Sequence, residues 1–144
     1  MRVLHVLQSN RFSGAENVVC QIITSMRADS DIDFVYCSRD GQIREALAER
    51  NITFAPLKEI SRDEIKRVID EVKPDVIHAH DRSASMVAAL ATKKIPIIAH
   101  MHVNNNRGIS LMVKISCGHS FPNVLSIYFG FRTPRLTAFN FTAC

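Results

Sequence analysis

The chain reads as a doubly wound parallel α/β sheet with helices on both faces. Short apolar runs alternate with amphipathic helical patterns up to about residue 102, an order that argues parallel strands joined by right-handed crossovers. The runs are apolar at successive positions rather than at every second one, as in strands covered on both sides. Two of them, Val3–Leu7 and Asp75–Ile77, lead into polar residues and then a helical pattern. In such a sheet the ligand crevice lies at the carboxyl ends of the strands.

Val3–Leu7 is the first strand. The first helix follows, with Ala15, Val18, Val19, Ile22, Ile23 and Met26 at helical spacing. Ser13 and Glu16 form an S-x-x-E capping box at its start, worth about 1 kcal/mol. Ile32–Cys37 is the second strand, and Gly41 opens a helix with Ile43, Ala46 and Leu47 on one face. Ile52–Ala55 is a short third strand closed by Pro56. Ser61 and Glu64 cap a third helix with Ile65, Val68, Ile69 and Val72 inward, and Pro74 stops it. Val76–Ala79 is the fourth strand. Asp81 or Ser83 caps a fourth helix reaching about Lys93, with Met86, Val87, Leu90 and Ala91 inward. Pro96–Met101 is the fifth strand.

A strand order of 3-2-1-4-5 makes strands one and four neighbours at the switch point. The loops Ser9–Glu16 and His80–Ser83 then face each other, with His102–Arg107 next door. Beyond Ile109 the pattern changes: the tail lacks acids and is rich in Phe, with Leu111–Ile115 readable as helix and Val124–Phe129 as a sixth strand. Residues 1–107 are therefore expected to form the domain, and 108–144 a divergent tail.

The 144 residues suffice for one domain that buries roughly 70% of its unfolded surface. No apolar run nears the roughly 20 residues of a membrane span, and the N-terminus lacks the features of a signal peptide. Cys20, Cys37, Cys117 and Cys144 are widely spaced without a C-x-x-C, which points to free thiols in a reducing, cytoplasmic setting. The net charge is +4, and every charged residue after Asp81 is basic. Nucleic acid, an anionic membrane surface and a phosphorylated ligand all fit that bias.

Gly14 can admit a ligand close to the backbone, at a helix N-terminus that favours an anion by roughly 0.3–1 kcal/mol; it can equally serve only a tight turn. The dinucleotide fingerprint G-x-G-x-x-G is absent, as are the G-x-S-x-G elbow and the Walker loop. His78-x-His80 and His100-x-His102 each set two imidazoles on one side of a strand. Metal hydrolases use that spacing, but buried core histidines explain His78 and His100 more simply. His102, at the mouth of the fifth strand, is a ligand-contact candidate. Asp29-Ser30-Asp31-Ile32-Asp33 contains D-x-D at the end of the sheet opposite the crevice and reads as a solvated turn. Cys20, beside the buried stripe, reads as core.

Val3–Leu7, Ser13–Glu16, Pro74–Asp81 and Ile95–His102 together resemble the N-terminal domain of glycosyltransferase family 4, over about Met1 to Asn106. That resemblance implies one half of a GT-B fold, in which two Rossmann-like domains face across a cleft. It implies transfer with retention of configuration, from a nucleotide sugar to a glycan or lipid-linked acceptor, without a metal or other cofactor. By the same resemblance His102 is the catalytic contact to the transferred sugar. Ser13, Gly14, Ala15 and Glu16 approach the donor phosphates and reacting centre, and His80, Asp81, Arg82 and Ser83 line the acceptor side. The family's donor-binding domain has no counterpart in the 144 residues. The expectation is thus a truncated, inactive half with a tail that reads as out of frame, working on a cell-surface polysaccharide at the inner face of the membrane and not on nucleic acid. Two rivals stand beside it: a non-catalytic domain docking on a separate donor-binding chain, and a small metal-dependent hydrolase using His78, His80 and His102.

Overall fold

The computed structural model describes residues 1–28, 31–101 and 123–128. They form a six-stranded, all-parallel sheet with strand order β3-β2-β1-β4-β5-β6. Its strands are β1 (Arg2–Val6), β2 (Asp33–Arg39), β3 (Thr53–Leu57), β4 (Val76–His80), β5 (Ile97–Met101) and β6 (Val124–Tyr128). The helices are α1 (Gly14–Arg27), α2 (Ile43–Glu49), α3 (Arg62–Val72) and α4 (Arg82–Ala91). The expected order, with β1 and β4 adjacent, is the observed one, and the sixth strand extends it beside β5. The Leu111–Ile115 helix lies outside the described residues.

The chain winds outward from β1 to β3 and then returns to β4 and moves the other way. Right-handed crossovers therefore divide the helices between the two faces. On one face Leu4, Val6, Val35, Ile77, Ala79 and Ile97 pack with Ile65 and Val68 of α3 and Ala84 and Ala88 of α4. On the other, Val3, Leu7, Phe34 and Tyr36 pack with Val19 and Ile23 of α1 and Ile43 and Leu47 of α2. β1 and β2 thus send alternate side chains into two different cores.

Three local expectations differ. Val18 and Met26 are 37% and 44% exposed, and α1 instead buries Glu16, Val19, Cys20 and Ile23. Leu90 is 52% exposed, because α4 packs closely through the small residues Ala84, Ser85, Ala88 and Ala89. β3 runs through Pro56 to Leu57. It is an edge strand, where a proline need not break a ladder on both sides.

The amino end of the sheet is closed by Arg2. Its backbone N–H donates to the Asp75 carboxylate at 2.7 Å, and its guanidinium to Asp33 at 2.6 Å and to the Val72 carbonyl at 2.7 Å. The Lys73 N–H donates to the Ile69 carbonyl at 2.8 Å with Lys73 in the left-handed region, and Pro74 follows. This ends α3 where expected.

Candidate functional site

Two strand-to-helix turns follow the carboxyl ends of the adjacent strands β1 and β4. In the first, Ser13 is the N-cap of α1 and Glu16 reaches back to accept from the Ser13 N–H at 3.2 Å. The Ser13 hydroxyl also donates to the Glu16 carboxylate. Glu16 is buried, with its carboxylate engaged in the cap. The first intrahelical bond runs from the Asn17 N–H to the Ser13 carbonyl at 2.9 Å, which leaves the Gly14 and Ala15 amides ahead of the helical ladder.

Gly14 has no positive φ, and a Cβ built on it would meet nothing within 4 Å. Neither backbone conformation nor packing therefore calls for glycine there. Gly41 is the reverse case. Its α-carbon sits so close to the β1–α1 loop that a Cβ would lie 2.8 Å from Asn10 Nδ2 and 2.9 Å from the Asn10 carbonyl oxygen. The Ile43 N–H donates to that carbonyl at 3.0 Å, the Asn10 amide donates to the Asp40 carbonyl at 3.3 Å, and Arg39 donates to the Gln8 carbonyl at 3.2 Å. The loop that carries Ser13–Glu16 is thereby pinned to the end of β2.

In the second turn Asp81 is the N-cap of α4, its carboxylate accepting from the Ala84 N–H at 2.9 Å. Its φ is 82°, a conformation that costs a non-glycine residue of order 1–3 kcal/mol. The surroundings hold it there: the Asp81 N–H donates to the His100 carbonyl at 2.9 Å, and its carbonyl accepts from the Ser85 hydroxyl at 2.6 Å. Arg82 is exposed and Ser83 half-buried in the first turn of α4. An open groove of about 840 Å³ lies by the carboxyl ends of β2 and β3 and beside α3, lined by Asn10, Arg39, Lys58 and Arg67 among others. Of these, Arg39, the last residue of β2, and Lys58, just after β3, escaped the sequence reading because neither strand carries a motif.

His80 is the last residue of β4. It is buried, and its Nε2 is 3.0 Å from Nδ1 of His5. His5 pairs in register with His78, and His80 with His100, so four imidazoles share one patch of the sheet. His78 Nε2 is 3.2 Å from His100 Nδ1, and the His78 and His80 rings stack at 4.1 Å. Burial, with the His78 and His100 charges adding to it, pulls the His5 pKa down to about 3. His5 was not recognised as part of this constellation, since 73 residues separate it from His78 in sequence.

His102 lies outside the described residues, as do Asp29 and Ser30. Asp33 of the D-x-D segment is taken up by Arg2 at the end of the sheet opposite the crevice. Cys20 is buried and its thiol pKa is raised by that burial; Cys37 is pushed up to about 12 for the same reason. Neither has the character of a nucleophile. Among the described residues no helix is long and apolar enough to cross a membrane.

The glycosyltransferase family 4 model matches residues 12–116, extending past Arg107. No curated protein matches. Among solved structures, HepE from Anabaena, in complex with UDP and glucose, superposes with a TM-score of 0.65 at 18% identity, over 91% of this chain and 45% of that one. MurG from Acinetobacter baumannii gives 0.63 at 11% identity, over 93% and 43%. A glycosyltransferase from Rickettsia africae gives 0.61 at 13%, over 90% and 43%. At these identities the likeness is one of fold: a Rossmann-like half of a GT-B structure. The chain spans less than half the length of each of these three structures.

Proposed function

This chain belongs to glycosyltransferase family 4, and we propose that it is the acceptor-side half of a retaining transferase. The reaction moves a sugar from a nucleotide-sugar donor to a glycan or lipid-linked acceptor. Support for the donor class comes from the similar HepE fold, solved with UDP-glucose.

Gly14 carries the reading. It sits at the N-terminus of a 14-residue helix, with open space where a side chain would stand. A glycine that the fold does not require leaves room for a ligand to approach the backbone. The Gly14 and Ala15 amides and the helix dipole would face the donor diphosphate, supplying the positive potential that other transferases take from a metal. His102 would hydrogen-bond the transferred sugar, helping by position and by stabilising developing charge. Asp81 keeps the α4 turn in shape, while Arg82 and Ser83 would meet the acceptor. We assign the work to polysaccharide assembly on the cytoplasmic side of the membrane.

The donor diphosphate and nucleoside need contacts from a second Rossmann-like half, so the purified chain alone should show no transfer or donor hydrolysis. Amide NMR tests the site directly. Titrating a nucleotide sugar and an acceptor glycan should shift Gly14, Ala15, Arg82 and Ser83 selectively. Turnover by the isolated chain would refute the half-site reading, and shifts confined to other segments would remove these residues from the site.

A further inference from the structure

We propose that His5, His78 and His80 form a transition-metal site, with His100 beside them, that ties β1 to β4. This goes beyond sugar transfer and does not depend on it. The group is assembled by the parallel register. His5 stands opposite His78, His80 opposite His100, and His78 and His80 share a face because they are two apart on one strand.

The nitrogen spacing is close to that of a ligand set. In a tetrahedral site with metal–nitrogen bonds of about 2.0–2.1 Å, the ligand nitrogens lie about 3.3–3.4 Å apart. Here His5 Nδ1 and His80 Nε2 stand 3.0 Å apart, as close as a hydrogen-bonded pair, and would open by a few tenths of an ångström to take an ion between them. The ligand nitrogens of His5, His78 and His80 all fall within 4.8 Å of one another. Small ring rotations would bring the three around one ion.

A purely structural role for the imidazoles explains the cluster less well. His5 is 1% exposed, yet its Nε2 has no hydrogen-bond partner. A buried polar atom left unpaired is costly, and an apolar side chain of similar shape would avoid that cost. Ligation through Nδ1 gives His5 a reason to be an imidazole despite that unpaired Nε2. The donor set is all imidazole, which suits zinc and its borderline neighbours and not magnesium or calcium. His5 and His80 are both buried, the character of a closed structural site and not of one that holds a reactive water. The His100 ring lies against His78 but outside the group of three, and supplies the fourth nitrogen only by turning toward the ion.

The test uses the whole chain, stripped with a chelator and titrated with zinc alone. One equivalent should bind and raise the melting temperature. Cobalt in its place should give the strong visible absorption of a four-coordinate ion without a thiolate charge-transfer band, which separates the histidines from the cysteines. His78→Asn, at a half-buried position, should weaken zinc by more than the roughly 10–100-fold that loss of an outer-sphere partner costs. Imidazole 15N spectra of the unaltered protein should show metal-bound nitrogens on His5, His78 and His80. Zinc that fails to bind stoichiometrically, binds through thiolates, or leaves these three rings unchanged overturns the site.

Discussion

Gly41 sits against Asn10 so closely that a single added methyl group would lie 2.9 Å from the Asn10 backbone oxygen. That contact locks the loop after β1 to the turn before α2. Gly41→Ala has to move backbone, not only a flexible side chain, and overpacking of this kind costs about 1–3 kcal/mol. Thermal denaturation should show a melting temperature lower by several degrees. Adding Asn10→Ala should recover only part of it, since the carbonyl remains. An unchanged melting temperature would show that the two loops are not fixed to each other.

Gly14 makes the opposite prediction. Gly14→Ala should leave stability within about 0.5 kcal/mol, as for a surface site without special constraints. It should nonetheless blunt the amide shifts caused by a nucleotide sugar, and the equivalent Gly→Val change in a complete relative should cut transfer sharply. Full ligand response in the alanine variant would mean the open space at Gly14 is not used.

Asp81 combines a cap with a φ of 82°, and substitutions can separate the two. Asp81→Asn keeps an acceptor oxygen and tolerates positive φ comparatively well, so it should be nearly neutral. Asp81→Gly relieves the backbone but loses the cap, and Asp81→Ala loses the cap while keeping the strain. Denaturant unfolding should rank them Asn, Gly, Ala, with Ala lowest by about 1–3 kcal/mol. Equal stability for Gly and Ala would remove the strain from the account.

The metal-free protein should lose stability as it is acidified. The ordinary pKa of His5 is 6.5, and in the fold it is held near 3 by burial first and then by His78 and His100. Above pH 6.5 the ring is neutral folded or unfolded. Between 6.5 and 3 only the unfolded chain takes up the proton, so stability falls with pH by about 1.4 kcal/mol per unit from this group. Below 3 both forms are charged and the loss levels off. His5→Gln should flatten the slope of unfolding free energy across that window, and a slope identical to the parent would exclude His5 as its source.

Much of the architecture was legible because local pattern and topology agree. Ser13, Ser61 and Asp81 mark helix starts, and Pro74 marks a stop. The exposed positions were less legible. Val18, Met26 and Leu90 sit at helical spacing with buried residues, yet they face out. Periodicity gives the width of an apolar stripe, but the depth to which a neighbour covers it depends on tertiary packing.

By itself the sequence determined the alternation of strands and helices and, given a doubly wound sheet, the adjacency of β1 and β4, because apolar period, capping and crossover handedness are local or topological constraints. Tertiary structure alone decided which alternate side chains share a face across neighbouring strands. Register places His5 beside His78 and His80, and seats Gly41 on Asn10. Neither pairing has a signature in the one-dimensional pattern, since a contact between distant segments exists only once the strands between them are aligned.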